Sequence, residues 1–291
     1  MSFTIRELSS LSGVKPHTIR IWEQRYNFLK PLRTQTNIRT YSKDELKTLL
    51  TVALLNKYGY KISRIDQMPA AQREQLVLEL PHAEAVNEAL VNQMIGYMVD
   101  LRHREFELLI DAQVRSSGLD EALSGLIFQF LEKVGILWHT NRILPAQEHI
   151  VSNIIRQKVI RAIDELPYPE DSEPLFVLML PDGEYHELGL LFVSYMLRKK
   201  GLSQIYLGSS VPMEDLFFLV KAARPQYVYL HLTSFTVHHH FSRFLQQLSQ
   251  NAGTTRILLS GIVPQAYRKD LPSNATLFST LRELRQFLDN Q

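Results

Sequence analysis

The strongest constraint on the fold is an alternation of apolar runs with helical patterns in the C-terminal part of the chain. Five short strand-like runs alternate with four segments of helical periodicity from about residue 175 onward. Such an alternation predicts a mostly parallel sheet with helices on both faces, because parallel strands need a crossover connection. The predicted strands are 175–180, 204–207, 227–232, 256–259 and 275–278, and the predicted helices are 188–200, 213–223, 239–250 and 281–289. We therefore expect a flavodoxin-like (Rossmann-like) sheet.

The preceding residues are helical in pattern. Four long stretches of 3.6-residue periodicity predict antiparallel helices joined by short loops, and hence a four-helix bundle. These stretches are 83–100, 104–116, 119–138 and 145–166. Shorter helices and turns fill the chain to about residue 73. The fold class is thus multi-domain α and α/β, with expected domains at 1–75 (helix-turn-helix), 80–166 (four-helix-bundle cap) and 174–291 (parallel sheet).

Composition excludes several classes of protein. The 291 residues contain no cysteine, which rules out disulfides, thiolate metal sites and thiol catalysis. No apolar stretch reaches the roughly 20 residues that a membrane helix needs. The N-terminus has no cationic start followed by an apolar block, so no signal peptide is expected. These features predict a bacterial cytoplasmic protein that acts at the nucleoid and has no membrane partner.

Charge is distributed unevenly along the chain. The formal net charge is +2, yet residues 1–75 carry a net charge of +7 and the remainder carries −5. A basic N-terminal segment, residues 1–75, followed by a mildly acidic remainder indicates that this segment binds a polyanion. We call residues 1–75 the head.

Within this head, residues 3–26 read as two helices separated by a tight turn. Gly13 suits the turn, because glycine adopts left-handed conformations without a steric penalty. The second helix of such a pair is the one that enters the major groove of DNA. The side chains expected to face DNA from this region are Lys15, His17, Thr18, Arg20 and Arg25.

Residues 31–41 form a basic, polar segment that predicts a wing. Arg33 and Arg39 are candidate phosphate contacts, and Tyr41 is either a packed ring or a ring that touches phosphate. Ser42, with Glu45 three residues later, predicts a capping box at the start of the next helix.

The head resembles the MerR family of transcription regulators. The resemblance rests on residues 18–26, 31–33 and 38–41 for the recognition helix and wing, and on 58–65 for the closing helical pair. With a tryptophan at position 22, the head resembles the light- and cobalamin-responsive branch of that family. The resemblance implies a double-stranded DNA operator as partner and regulation rather than catalysis. No heptad run follows the head, so self-association as a dimer or tetramer is expected to come from the bundle and the sheet domain.

A second motif follows the first strand of the sheet domain. Glu184, His186 and Gly189 form an E-x-H-x-x-G sequence on the loop at the strand's carboxyl end, where open parallel sheets bind ligands. An imidazole there can ligate a metal through one nitrogen while a carboxylate holds the other. Glu184 is the expected orienting partner. Taken alone, this six-residue pattern favours an ordinary polar loop.

The helical segment adds a W-x9-E-H spacing from Trp138 to Glu148 and His149. Bundle and sheet domain together resemble the cobalamin-binding module of the CarH/LitR-like photoreceptor regulators. The resemblance implies a cobalamin-controlled, light-responsive repressor that binds adenosylcobalamin. It gives His186 as the lower cobalt ligand and Trp138 as the cover of the upper, adenosyl face. Glu148 and His149 would line the pocket, and His139 would become the upper ligand after photolysis.

Two positions depart from that family's pattern. The family has Ser-x-Leu after the third strand and Gly-Gly after the fourth, which make room for the nucleotide tail of cobalamin. In this chain His231 replaces the serine of the first motif. Ser260 replaces the first glycine of the second motif, and Gly261 matches its second glycine. Histidine is larger than serine and narrows the expected tunnel, and Thr233 or Ser234 could supply the hydroxyl instead.

The departures leave two alternatives open. The C-terminal half could have lost cobalamin and serve as an oligomerisation or protein-interaction module of a MerR-like regulator. More remotely, the chain could be a corrinoid methyl-carrier protein, although a DNA-binding head has no role there. The run 238–240, three consecutive histidines, predicts a solvated helix start rather than a metal site, because the side chains diverge around a helix.

Overall fold

The computed structural model describes residues 2–140, 142–169, 174–234, 238–267 and 271–291, without the side chains of 83, 139 and 238–240. The chain divides into two compact units, Met1–Ile154 and Ile155–Gln291. No helix in the described ranges is both long and apolar enough to cross a bilayer.

The first unit begins with a winged helix-turn-helix, as predicted. A small antiparallel sheet of order β1-β3-β2 forms the wing and pairs Phe3 with Tyr41 and Arg33 with Arg39. The elements are β1 (Ser2–Phe3), α1 (Ile5–Ser12), α2 (Pro16–Arg25), β2 (Leu32–Arg33), β3 (Arg39–Ser42), α3 (Lys43–Lys57), α4 (Ile62–Asp66) and α5 (Ala70–Leu78).

Local signals in the sequence set the ends of these helices. Gly13 ends α1 in the left-handed region with φ 71°. The predicted capping box of Ser42 and Glu45 starts α3, and a second capping box, Thr4 with Glu7, starts α1. Helix α5 was not predicted; it packs against α3, so the expected domain boundary at residue 75 falls inside a helix.

The four long helices that follow are confirmed. They are α6 (Ala83–Val99), α7 (His103–Ser117), the run of α8 (Leu119–Glu121), a π-helical turn (Ala122–Ile127) and α9 (Phe128–His139), and finally α10 (Pro145–Asp164). Phe106 of α7 and Phe130 of α9 are fully buried with ring centroids 5.2 Å apart. Within the first unit, Asp100 at the end of α6 forms ion pairs with Lys43 and Lys47 of α3, at 2.9 and 2.5 Å. These pairs join the winged helix-turn-helix to the helical segment.

The second unit contains the predicted parallel sheet. All five strands are parallel, in the order β5-β4-β6-β7-β8. The elements are β4 (Phe176–Pro181), α11 (Leu188–Lys199), β5 (Gln204–Val211), α12 (Met213–Ala223), β6 (Tyr227–His231), α13 (His238–Asn251), β7 (Arg256–Ser260), α14 (Ile262–Ala266), β8 (Ala275–Leu277) and α15 (Leu281–Asp289). Only the short helix α14 is absent from the sequence prediction.

The strand order determines where a ligand can enter. The chain runs from β4 outward to β5 and then returns to β6 on the other side of β4. At such a reversal the connections after two adjacent strands leave in opposite directions and open a crevice at the strands' carboxyl ends. The loop that carries the E-x-H-x-x-G motif and the loop after β6 therefore border one crevice.

Candidate DNA-binding surface and cofactor site

Helix α2 presents a basic face. Its apolar side is anchored by Ile19 and Trp22, which are buried, so the opposite side faces solvent. A second helix held in this way can enter the major groove. Of the predicted contacts, Thr18 is partly buried, and those that are exposed are Lys15, His17, Arg20 and Arg25.

The wing turn carries one exposed arginine in a defined position. Arg33 donates from Nη1 to Oδ1 of Asn37 at 2.7 Å, and Asn37 has a positive φ of 62° at the tip of the turn. Arg33 stays a predicted phosphate contact.

The other two wing residues have a packing role. Arg39 donates from Nε to both carboxylate oxygens of Glu23, at 3.0 and 2.8 Å, and so ties the wing to α2. Tyr41 is fully buried, and its hydroxyl donates to Glu23 at 3.2 Å. Burial, with the nearby carboxylate, raises the pKa of Tyr41. The expected phosphate contact of Tyr41 is therefore corrected: a buried ring packs inside the head. Sequence did not indicate that Glu23 faces the wing.

In the second unit, Glu184 occupies the centre of the crevice. Its side chain is fully buried between the loop after β4 and the loop after β6. Oε2 accepts hydrogen bonds from the backbone N–H groups of Thr233 and Ser234, at 3.0 and 2.8 Å. Oε1 accepts from the backbone N–H of His186 at 3.1 Å and from the hydroxyl of Ser234 at 3.2 Å. One carboxylate thus satisfies donors from both sides of the crevice.

The His186 ring is held by the same carboxylate. Its Nδ1 lies 2.7 Å from Oε1 of Glu184 and 2.9 Å from Oγ of Ser234, and 55% of the side chain is exposed. Burial would raise the pKa of Glu184, but the hydrogen bonds from His186 and Ser234 outweigh it and lower that pKa to about 2. A permanent anion at Nδ1 places the proton on that nitrogen and the lone pair on Nε2, which is the form of imidazole that ligates a metal.

The part of the crevice over Gly189 is filled by His231. A Cβ at Gly189 would lie 2.6 Å from Nε2 and 2.7 Å from Cγ of His231, so the ring lies directly over the glycine. Nδ1 of His231 is 2.7 Å from Oγ of Ser260, which is 2.5 Å from the hydroxyl of Tyr229. Burial lowers the pKa of His231 to about 4, so the ring is neutral at pH 7.

Gly261 has a backbone role. Its φ is 99°, and a Cβ there would lie 2.8 Å from the backbone nitrogen of Leu232 and closer still to its carbonyl oxygen. Any side chain would separate the loops after β6 and β7, so only glycine fits.

The remaining predicted cofactor residues lie in the first unit, at the end of α9 and the start of α10. Trp138, near the end of α9, is 42% exposed. Glu148 contacts Nδ1 of the exposed His149 at 2.7 Å and accepts a hydrogen bond from the hydroxyl of Ser152. The side chain of His139 lies outside the described part of the structure, as do those of 238–240.

Two ion pairs were missed by the sequence reasoning. Glu187, the residue after His186, forms an ion pair with Arg156 of α10, and the hydroxyl of Tyr206 lies 3.3 Å from its carboxylate. Arg142 in the loop after α9 pairs with Glu7 of α1. The partners are far apart in sequence, so no spacing or periodicity could have indicated either pair.

The residues of the crevice fit a corrinoid at one end. A corrinoid would bring most of the ligands of its own cobalt, so a single protein nitrogen would be enough, and His186 beside its buried carboxylate would be the residue to supply it. Across the described ranges, no three His, Asp or Glu side chains gather as a site for a bare metal ion. At the other end, His231 takes the space over Gly189.

Comparison with protein families assigns each part of this architecture. Residues 3–72 match the model of the MerR HTH family regulatory proteins, and residues 86–162 and 175–277 match two models of a B12 binding domain. Each match covers one segment: the winged helix-turn-helix is similar to MerR HTH regulatory proteins, and the helical segment and the sheet domain are each similar to a B12 binding domain.

Among characterised proteins, it is homologous to two transcriptional repressors of Myxococcus xanthus. It is 26% identical to CarA over 271 residues, which are 92% of this chain and 90% of CarA. It is 29% identical to CarH over 237 residues, 78% of this chain and 77% of CarH. Among solved structures, the Methanosarcina barkeri monomethylamine corrinoid protein has the same fold, with a TM-score of 0.56 and 14% identity over 70% of this chain and all of that one.

Proposed function

We propose that the chain is a repressor whose binding to an operator is controlled by a corrinoid, in its adenosylcobalamin form, and by light. The observation that carries the proposal is the buried Glu184 carboxylate, which orients His186 at the crevice where a parallel sheet takes its ligand. The repressor role is supported by the likeness to CarA and CarH.

His186 would be the lower ligand of the cobalt. Glu184 fixes the ring's tautomer, and Ser234 adds a second contact at Nδ1, so both hold Nε2 in one orientation. When bound, the corrinoid would supply a cobalt centre with a light-sensitive bond on its upper side. The matches of residues 86–162 and 175–277 to B12 binding domains support this assignment.

The helical segment would cover the upper side. The exposed ring of Trp138 and the paired side chains of Glu148 and His149 are the surface proposed for this contact. His139 is the proposed upper ligand after photolysis. These roles rest on the resemblance of their motif to the CarH/LitR-like regulators.

Control of DNA binding would follow from assembly. A dimer or tetramer presents several basic heads to one operator, and each head contributes its own phosphate contacts. A corrinoid favours this state only if it binds the assembled form more tightly than the dispersed form. The operator would be held by the exposed residues Lys15, His17, Arg20, Arg25 and Arg33.

Gel filtration of the full chain with adenosylcobalamin tests the proposal. In the dark, we expect a chromophore that co-elutes with a larger assembly, which illumination disperses. His186→Ala should lose the chromophore, while His103→Ala, a matched change at an exposed histidine of α7, should keep it. Elution of wild-type protein without chromophore would contradict control by adenosylcobalamin.

A second candidate function is supported by one observation. Because His231 fills the space over Gly189, the sheet domain could have kept its fold without a corrinoid and serve assembly alone. In that case operator binding would be the same in wild type and His186→Ala, with or without cobalamin.

A further inference from the structure

His231 closes one part of the proposed corrinoid site. What we infer from this closure rests on the proposed function, control by a corrinoid. We infer that His231 determines specificity by closing the crevice beside Gly189, so that the site prefers corrinoids without a bulky nucleotide tail. Cobalamin carries such a tail below its ring, whereas cobinamide has the same ring and cobalt without the nucleotide.

The two residues stand on opposite sides of the crevice. Gly189 is in the first turn of α11, the helix that follows β4, and His231 is the last residue of β6, the neighbouring strand. The space that a side chain at position 189 would use is already taken by the His231 ring, since Nε2 is 2.6 Å from the position of a Cβ. A ligand group that passes between the first turn of α11 and the end of β6 must first displace the ring.

Displacement is opposed by a buried polar chain. Oγ of Ser260 contacts both Nδ1 of His231 and the hydroxyl of Tyr229, and Tyr229 is buried. If the ring swings out, Ser260 loses one of these two partners in a place that water does not easily reach. The register of the sheet sets this contact, because His231 of β6 pairs with Ser260 of β7.

The metal-ligand end does not depend on this closure. Glu184, His186 and Ser234 hold one another through bonds that do not include His231. His231 can therefore be shortened without removing the nitrogen proposed for cobalt. The preference against the nucleotide tail and the proposed ligation of the cobalt are therefore separable properties of the crevice.

The experiment titrates full-length protein with hydroxocobalamin and with aquocobinamide and measures Kd by equilibrium dialysis. His231→Ser shortens the side chain, and His231→Asn is a second variant that can still bond to Ser260. In either variant, the affinity for cobalamin relative to cobinamide should rise about tenfold or more. In wild type the tail has to displace His231 from Ser260, and one lost hydrogen bond corresponds to roughly that factor. His103→Ser, at an exposed position, is the control and should leave the ratio unchanged.

The outcomes separate the two proposals. If wild type and both variants bind both corrinoids with one unchanged ratio, the role of His231 is overturned and corrinoid binding stands. If none of the proteins binds either corrinoid, the proposed function itself fails. A ratio of cobalamin affinity to cobinamide affinity that is higher in both variants than in wild type supports the closure by His231.

Discussion

Arg142 donates from Nε to Oε1 of Glu7 at 2.7 Å, and so links the loop after α9 to the first helix of the winged helix-turn-helix. The other oxygen of Glu7 accepts the backbone N–H of Thr4 at 2.6 Å, and Nη1 of Arg142 reaches the carbonyl of Ser2 at 3.1 Å. The capping carboxylate of α1 is thus shared between the helix that it starts and a distant loop. The loop that follows α9 is therefore bonded to the DNA-binding head within the first unit.

Arg142→Ala is expected to lower the free energy of unfolding of the chain by about 2 kcal/mol, because Glu7 then remains as a largely buried anion without its cation. Urea denaturation followed by circular dichroism measures the change. Glu7→Gln should remove most of the same energy, and the double variant should lose little more than either single variant. Fully additive losses would show that the two side chains are not coupled.

Glu184→Gln is expected to weaken corrinoid binding by roughly 10- to 100-fold, since an amide nitrogen cannot accept the hydrogen bonds that now converge on one of the two oxygens. Spectrophotometric titration measures the affinity. Glu214→Gln, an exposed change on α12, is the matched control. Equal affinities in wild type and Glu184→Gln would mean that the carboxylate does not orient the ligand histidine.

His231 should make stability depend on pH. Its pKa is lowered by burial to about 4 from an unfolded value of 6.5, so the unfolded chain takes up a proton first as the pH falls. Its contribution is fully present above pH 6.5 and is lost between pH 6.5 and 4, by up to about 3 kcal/mol. Urea unfolding of wild type and His231→Asn at several pH values checks this. The two pH profiles should diverge in that window, and parallel profiles would contradict the prediction.

The salt dependence of DNA affinity should distinguish residues of the head that contact DNA from residues that pack inside it. Arg20→Ala and Arg33→Ala are expected to weaken DNA binding and to reduce the slope of affinity against salt by about one each, because each removes an exposed charge that is proposed to contact phosphate. Tyr41→Phe should leave that slope unchanged and cost about 1 kcal/mol of stability through the lost bond to Glu23. Fluorescence anisotropy at several salt concentrations measures the slopes. A reduced slope for Tyr41→Phe would indicate that the hydroxyl of Tyr41 takes part in DNA binding, which would contradict its packing role.

Most of the fold could be predicted from local patterns, whereas the contacts of the site could be predicted only in part. Alternating apolar runs gave the five strands, and the loop position of His186 next to Glu184 gave the orienting pair. The third partner, Ser234, depends on which strand lies beside β4, and that order is a property of the sheet. The size of His231 could be read from the sequence, but the direction of its ring depends on Ser260 in the neighbouring strand.

The buried carboxylate of Glu184 also limits how this loop can be transplanted. A protein engineer who grafts 182–187 alone onto another doubly wound sheet would move the imidazole together with its anion. The anion would then lack the two backbone N–H groups that it receives from Thr233 and Ser234. The portable piece is a pair of loops from adjacent strands, and their spacing has to be copied together with their residues.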